Sequence, residues 1–543
     1  MELYSADHLI IGKITTLDES GELKTYEALT VKDGLIQYAG TLNEAKKYCN
    51  DETSISDYTG AYLYPGMIEG HCHGSMAGNR LTLEVSLTDG ECEKDYIEAV
   101  KAFIEANPDF PEYRGAGWKG SAVSPSKETL DKICPDKAVY LNSFDGHSMW
   151  LNSKALEQSG IDKAAAKKWG PDIVRVNPDG TPTGYISEGP CNAMLASVKY
   201  THEQKKKALL NWQEFAFSKG FTAVLDAGVT ERIVELYDEL VKEGKWKLRT
   251  YAVYLIPETA DDYPSYIEKA KELSEKYNSE YFKIIGMKVF MDGVVEAHTA
   301  WLIDDYTDTP GKTGVRRMCD EARFAEVVAE SAKAGFMVHA HTVGDGAIKF
   351  ALDGIEEGKK ANPSFDMRNA LAHLQVVDDD QLDRIERLGV VPVVAPLWCI
   401  KADFGIWDQE VSYLGQQRAD NAYPVKSFFD RGCKAAFHSD YPVSSSVSVP
   451  GTVFCAVERR LSNQSTDKCR NASECISREQ ALSGLTTNPA YSFYEENRLG
   501  KLLPGYVANL SIYDRDLIND DIELVDKANT VAVIIDGEEV YHA

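Results

Sequence analysis

Residues 61–73 read AYLYPGMIEGHCH, and this stretch decides the fold. It is a run of apolar, β-prone residues that ends in two histidines, His71 and His73, on either side of Cys72. Side chains alternate along a strand, so residues two apart point to the same face. The stretch therefore predicts a buried strand whose carboxyl end presents two imidazoles together while Cys72 faces the other way.

Seven further apolar, β-branched runs follow, most of them separated by segments with helical patterning. Runs of this composition suit strands that are buried on both faces. Eight of them alternating with helices predict an α/β fold, a closed parallel (β/α)₈ TIM barrel rather than an open sheet. The seven runs are FTAVLDAG (221–228), LRTYAVYL (248–255), IIGMKVFMDG (284–293), FMVHAHTVGD (336–345), NALAHLQVV (369–377), VVPVVAP (390–396) and KAAFHSD (434–440).

Both ends of the chain carry β-hairpin signals. Asp33-Gly34 and Asp536-Gly537 each lie between two apolar runs, and Asp-Gly supplies the positive φ angles of a tight hairpin turn. These strands predict a small β-sandwich domain built from both chain ends. The predicted division is residues 1–64 with 491–543 for that domain, 65–490 for the barrel, and 75–200 for a subdomain inserted after the first barrel strand, over the barrel mouth.

Composition excludes several classes of protein. The 543 residues are 43% hydrophobic and 26% charged, which suits a large folded core. A net charge of -27 offers no basic surface for nucleic acid. The 11 cysteines form no Cys-x-x-Cys pair, and the chain has no signal-peptide pattern and no apolar run near bilayer length. These features predict a soluble cytoplasmic protein that binds neither nucleic acid nor membrane.

Ionisable side chains recur where the predicted barrel strands end, the face on which barrels of this type build active sites. The residues are His71, His73, Lys288, His341, His373 and Asp440. Imidazole and carboxylate are metal ligands. The histidine pair alone could equally line a polar cavity. Lys288 repels a cation while it is protonated, but burial favours the neutral amine, which can add carbon dioxide to give an anionic carbamate. The alternative for Lys288 is a structural lysine paired with Asp292 or another acid.

Several ordered motifs resemble the amidohydrolase superfamily: the HCH after PGMIEG, a strand lysine, single histidines on later strands and a final aspartate. More narrowly, the chain is similar to amidohydrolase family 3, the branch that contains the N-substituted formamide deformylases. The motifs of that branch are DGHSMWLNSKAL, PTGYISEG, KVFMDGVVEAHTA, HTVGDGA, AHLQ, HSDYPV and the tail TTNPAYSFYEENRLGKLLPGYVANLSIYDRD.

The resemblance implies a site with one or two divalent metal ions. His71, His73 and Asp440 would hold one ion and His341 and His373 the other, with Lys288 as a bridging carbamate. Zinc is the leading candidate, since imidazole and carboxylate suit it. Asp440 would be the catalytic proton shuttle for water attacking a non-peptide C–N bond, in an amide, N-acyl or N-formyl group of a small molecule.

The chain departs from the family pattern at two places. One concerns a residue beside the metal ligands, and the other concerns the substrate pocket. Glu69 stands where the family commonly has Asp, and the AHTA around His298 replaces a frequent Arg. His147 and His298 are candidate substrate contacts. His339 and His438 are interpreted as hydrogen-bonded interior residues, with tuning of a metal ligand as the alternative.

Other functions stay open at this point. The same metal site could serve a deaminase, a cyclic amidase or an esterase, and a barrel of this type could also act as a catalytically weak regulatory or binding protein. The expected partner is a small-molecule substrate. Barrels of this type often dimerise, which leaves a homodimer open.

Overall fold

The computed structural model describes residues 5–120, 122–143, 148–171, 173–187, 200–258, 260, 262–317, 321–402, 406–444 and 446–543. Three sheets occur in this part of the chain. Their strands are numbered β1 to β21 along the sequence. By contact density the chain divides into two compact units, Met1–Gly74 with Gln213–Ala543, and Ser75–Trp212.

The largest sheet is a parallel barrel of eight strands, each of which overlaps one of the eight stretches that the sequence marked. Each strand pairs in parallel with the next one along the chain, except across the seam between the first and the last. The strands are β5 (Met67–Cys72), β12 (Phe221–Val229), β13 (Arg249–Leu255), β14 (Phe282–Phe290), β15 (Met337–Thr342), β16 (Ala370–His373), β17 (Val391–Val394) and β18 (Ala436–Phe437).

The seam between β18 and β5 is closed by backbone contacts beyond the short last strand. The Asp440 amide donates to the His71 carbonyl at 3.0 Å, and the His73 amide donates to the Tyr441 carbonyl at 2.8 Å. Gly70 permits this approach, because a Cβ atom there would lie 2.5 Å from the Phe437 carbonyl oxygen. The barrel is therefore nearly closed, and the predicted TIM-barrel class is confirmed.

Helices connect the barrel strands and cover the outside of the barrel. Two of these helices begin with capping boxes, in which Thr201 and Ser477 form reciprocal bonds with Gln204 and Gln480. The helices from the second barrel strand onward, with the one before it, are His202–Ser218, Glu231–Lys242, Tyr263–Tyr277, Glu321–Ala334, Asp345–Gly358, Asp379–Arg387, Ile406–Leu414, Gln416–Asn421, Val425–Asp430, Val449–Glu458, Arg478–Leu485 and Thr487–Ser492.

A second sheet draws its seven strands from both ends of the chain, in the order β21-β20-β19-β4-β1-β2-β3. Both predicted hairpins are confirmed, with φ angles of 51° and 75° at Asp33 and Gly34 and of 55° and 82° at Asp536 and Gly537. The strands are β1 (His8–Leu17), β2 (Leu23–Lys32), β3 (Leu35–Gly40), β4 (Ser54–Pro65), β19 (Leu510–Tyr513), β20 (Thr530–Ile535) and β21 (Glu538–His542), accompanied by helices Leu42–Ala45 and Ile522–Val525.

The unit Ser75–Trp212 has its own six-stranded mixed sheet, in the order β10-β11-β9-β8-β7-β6. Its strands are β6 (Glu84–Ser86), β7 (Glu112–Trp118), β8 (Ala138–Ser143), β9 (Ser148–Leu151), β10 (Val174–Val176) and β11 (Pro182–Ser187), with helices Gly74–Leu83, Glu93–Ala106, Lys127–Asp131, Ser153–Gln158 and Lys163–Trp169. The predicted domain boundaries and a position of this unit over the barrel mouth stay predictions. Among the described residues, no helix has the length and apolarity needed to cross a membrane.

Candidate metal centre

His71, His73 and Asp440 form a compact group where β5 and β18 end. The Nε2 atoms of both histidines lie 3.3 Å from Asp440 Oδ1. One donor atom from each of the three residues lies within 4.8 Å of those of the other two. Closure of the barrel brings the three residues together, because the Asp440 amide hydrogen-bonds to the His71 carbonyl. Three such donors are sufficient protein ligands for a catalytic metal ion.

The other three predicted ligands open into the same cavity, which has a volume of about 490 Å³. The ring centroids of His341 and His373 are 4.5 Å apart, and those of His71 and His373 are 5.1 Å apart. Lys288 lies on β14 and reaches the cavity from inside the barrel. The structure thus brings all six predicted groups to one cavity.

Buried polar atoms without hydrogen-bond partners are concentrated in this group. Buried polar groups are normally satisfied, so each exception needs an explanation. Among the described residues, the unpartnered atoms here are His71 Nε2, Lys288 Nζ, His339 Nδ1, His373 Nδ1, both ring nitrogens of His438 and Asp440 Oδ1. The interpretation of His438 as hydrogen-bonded is therefore wrong, and so is the pairing of Lys288 with Asp292.

The electrostatics of the centre follow from burial. Burial lowers the pKa of Lys288 to about 7, against the opposing charge of Asp440. Burial also holds the pKa of His71 and of His373 well below the usual value, which keeps both imidazoles neutral. Burial alone would raise the pKa of Asp440, but the adjacent His73 and the other nearby imidazoles lower it. Neutral imidazoles and an ionised carboxylate are the forms that ligate a cation.

Two buried side chains orient the histidines. For His339, tuning of a metal ligand was the alternative interpretation from sequence, and Asp292 was considered only as a partner of Lys288. His339 Nε2 lies 2.7 Å from His71 Nδ1, which leaves His71 Nε2 free to face Asp440. Asp292 Oδ1 lies 3.2 Å from His341 Nδ1, and this carboxylate also accepts the Trp301, Val343 and Gly344 amides. Such partners fix the ring orientation and tautomer of a metal-binding histidine.

Glu69, the departure from the family pattern, joins the two edges of the barrel seam. Its Oε1 accepts the Ser439 amide at 2.9 Å and the His71 amide at 3.2 Å. Burial raises the pKa of Glu69 to about 7, against these two bonds. The longer side chain thus holds the β5 and β18 ends in place from within the barrel.

The backbone is strained at two ligand positions. His373 has a φ of 82° and Asp440 a φ of 58°, in the left-handed region that non-glycine residues seldom occupy. Such conformations persist only where the surrounding structure enforces them, and they cluster at functional sites.

The remaining candidates lie at different places. Trp398 lines the cavity, stacks on His373 with ring centroids 5.5 Å apart, and donates to Ser444. His298 is not among the described residues that line the cavity, and its Nε2 lies 3.0 Å from both carboxylate oxygens of Asp308. A substrate contact by His298 stays a prediction. His147 falls outside the described residues.

The donor set and the unpartnered atoms fit a divalent cation. Imidazole nitrogen and carboxylate oxygen are the ligands that zinc and related ions take in hydrolases. A cation also accounts for atoms such as His71 Nε2 and Asp440 Oδ1, which point towards one another without forming a hydrogen bond.

Comparison with known proteins assigns the chain to a family. The model of the amidohydrolase family matches residues 55–541. The chain belongs to the amidohydrolase family. This amidohydrolase is a metal-dependent hydrolase that acts on carbon–nitrogen bonds, with His71, His73 and Asp440 as its candidate metal-binding triad.

Similar proteins span almost the whole amidohydrolase chain. It is 26% identical to YtcJ of Bacillus subtilis, an amidohydrolase by name, over 98% of both chains. It is 24% identical to the N-substituted formamide deformylase of Arthrobacter pascens over 97% of both. A metal-dependent hydrolase from Pyrococcus furiosus superposes with a TM-score of 0.76 at 26% identity, covering 94% of this chain and 100% of that one.

Proposed function

We propose that the protein hydrolyses a non-peptide C–N bond, in an amide, N-acyl or N-formyl group of a small molecule. The observation that carries this proposal is the convergence of six ligand-type groups on one cavity, with unpartnered buried atoms facing each other. The family relationship to a formamide deformylase supports the choice of bond.

His71, His73 and Asp440 would hold one ion, most simply Zn²⁺, and His341 and His373 a second. Held there, a divalent cation supplies Lewis acidity, which lowers the pKa of a water molecule to about 7 and polarises the carbonyl under attack. The protein's part is to keep the imidazoles of His71 and His373 neutral through burial, and to fix the ring of His71 through His339 and that of His341 through Asp292.

Lys288 would bridge the two ions as a carbamate. With a pKa near 7, a large share of the amine is neutral at physiological pH and can attack dissolved carbon dioxide. The new N–C bond forms while the nitrogen loses one proton to solvent, which leaves an anionic carbamate in place of an amine. This product supplies oxygen ligands where the unmodified Nζ has no partner among the described residues.

Asp440 would move the proton. Its carboxylate is ionised because neighbouring imidazoles lower its pKa, so it can accept a proton from the attacking water. It then donates that proton to the leaving nitrogen as the C–N bond breaks, and the amine departs neutral. One carboxylate therefore serves as base and then as acid.

The test is turnover by zinc-loaded protein on a panel of amides, N-formyl amines and lactams, alongside Asp440→Asn and the exposed-site control Asp430→Asn. We expect hydrolysis by the wild type and the control, and at least a 100-fold loss in Asp440→Asn. Full metal content without turnover of any panel member would overturn the proposal. Equal activity of Asp440→Asn would overturn the role of this residue.

A further inference from the structure

The wall of the cavity outside the metal centre is mostly apolar. The side chains there are those of a pocket that takes a hydrocarbon body rather than a sugar or a peptide backbone. They include Val294, Leu397, Ile400, Ala402, Ile406 and Val443.

Among the described residues of this wall, two are carboxylates, and the charge of one of them, Glu410, is already balanced. The Arg470 guanidinium donates to Glu410 Oε1 at 2.6 Å and to Oε2 at 3.2 Å, and Gln375 donates to Oε1 at 3.0 Å. Arg470 is itself fully buried. A bidentate ion pair of this kind fixes both side chains and neutralises the carboxylate, so Glu410 offers little charge to a ligand.

Glu296 is the second carboxylate, and nothing in the described part of the chain balances it. No lysine, arginine or histidine there forms an ion pair with it. Its own backbone amide hydrogen-bonds to it, and the charge that acts on it is the like charge of Glu410. Burial raises the pKa of Glu296, yet its side chain is open to the cavity. A carboxylate in the wall of an apolar cavity, without an ion-pair partner among the described residues, attracts cations into that cavity and can pair with a cationic ligand.

The turn that carries Glu296 is held firmly. Residues Val295–Ala297 form one turn of 3₁₀ helix, closed by bonds from the His298 amide to Val295 and from the Ala300 amide to Val294. The His298 ring, held by Asp308, lies 4.0 Å from the Tyr413 ring. A carboxylate on a fixed turn favours selectivity, because the backbone that carries it need not be reorganised on binding.

We propose that Glu296 determines specificity by binding a cationic nitrogen, an ammonium group, at the far end of an apolar substrate whose amide reaches the metal centre. This inference rests on the proposed amide hydrolysis for the reacting end of the substrate only. The substrate class is thus mono-N-acylated or mono-N-formylated diamines, with a hydrocarbon spacer against the apolar wall and the free amine against Glu296.

The first arm of the test compares N-formyl-α,ω-diaminoalkanes of increasing length with N-formylalkylamines in which a terminal methyl replaces the ammonium. We expect wild-type kcat/KM to favour the cationic member of the best pair by about 10-fold to 100-fold, the range of a hydrogen bond to a charged group. Glu296→Gln should abolish this preference while changing kcat/KM for the neutral member less than about 3-fold. Glu268→Gln, which removes the same charge from an exposed helix position, should keep the preference.

The second arm measures binding without turnover. Methanesulfonamide analogues of the same pair, in which sulfur replaces the scissile carbonyl carbon, are titrated calorimetrically into metal-loaded wild type and Glu296→Gln. Tighter binding of the cationic analogue to wild type alone supports the inference, even if neither formamide is hydrolysed, in which case only the proposed reaction fails. Equal binding of both analogues, a preference that survives in Glu296→Gln, or no detectable binding of either would overturn the inference.

Discussion

Asp292 shows how one buried side chain can govern a site that it does not enter. It holds His341 Nδ1 and three backbone amides with a single carboxylate. Asp292→Asn replaces one acceptor oxygen by an NH₂ group that faces these donors. We expect the affinity for the ion at His341 and His373 to fall about 10-fold to 100-fold.

The measurement for Asp292→Asn is a chelator competition that yields the zinc dissociation constant of each site. Asp345→Asn is the matched control, since Asp345 is also buried and accepts the Ile303 and Gly346 amides without contacting a histidine. An unchanged zinc affinity in Asp292→Asn, or an equal loss in both variants, would show that Asp292 does not act through His341.

Individual site residues could be predicted from the sequence where residue type and position at a strand end were sufficient. The six ligand-type residues stand out because they end predicted strands, and the structure brings them to one cavity. The roles of His339 and Asp292 depend on contacts across neighbouring strands, and Glu296 becomes distinctive only once Arg470 is seen to neutralise Glu410. Long-range pairing of this kind leaves no local pattern in a single sequence.

The geometry of the metal ligands depends on Gly70, which lies at the seam between β5 and β18. A methyl group there would meet the Phe437 carbonyl at 2.5 Å, so Gly70→Ala must push β5 away from β18. We expect the free energy of unfolding to fall by about 1–3 kcal/mol, and the metal content of the purified protein to fall with it.

Chemical denaturation and metal analysis of Gly70→Ala would check this expectation. Gly120→Ala is the control, because a Cβ atom there has no neighbour within 4 Å and the glycine does not need a positive φ. Normal stability together with normal metal content in Gly70→Ala would mean that the tight seam is not needed for the site.

Asp516 ties the loop after β19 to two strands from the start of the chain. It lies 2.5 Å from Lys13 Nζ on β1 and accepts the Tyr64 hydroxyl at 2.9 Å, with a side chain 1% exposed. Burial alone would raise the pKa of Asp516, but Lys13, Asn519 and Tyr64 lower it from 3.8 to about 2. A depressed folded-state pKa stabilises the protein above the unfolded value, and that stabilisation is lost as the pH falls from 3.8 towards 2.

We therefore expect Asp516→Asn to lower the free energy of unfolding by about 2 kcal/mol at pH 7. The difference from wild type should shrink once the pH is below 3.8. Urea unfolding of both proteins across this pH range tests the prediction, with the exposed Asp51→Asn as control. A difference that does not vary with pH would contradict it.

Some secondary-structure elements could be predicted from their local sequence, and others could not. The Asp-Gly turns specify their hairpins through backbone conformation alone, and both formed as expected. The last barrel strand, Ala436–Phe437, is shorter than its predicted run, and the chain takes a left-handed conformation at Asp440. The six-stranded sheet of Ser75–Trp212 combines parallel and antiparallel neighbours, an order that periodicity cannot specify.

For the whole molecule, we expect metal binding to stabilise the folded state. An ion that binds only the native state stabilises it by about 2.7 kcal/mol when its free concentration is 100 times the dissociation constant. Removal of metal with a chelator should therefore lower the melting temperature, and added Zn²⁺ should restore it. A His71→Ala/His73→Ala double variant should lose the response, whereas chelator-independent melting of the wild type would contradict the coupling.

The most direct test of the central claim is a crystal structure of the zinc-loaded protein with anomalous data collected on both sides of the zinc absorption edge. We expect an anomalous peak bonded to His71, His73 and Asp440, and a second beside His341 and His373 if two ions bind. An anomalous map with no peak in this cavity, or a fully loaded protein whose zinc is held by other residues, would contradict the claim.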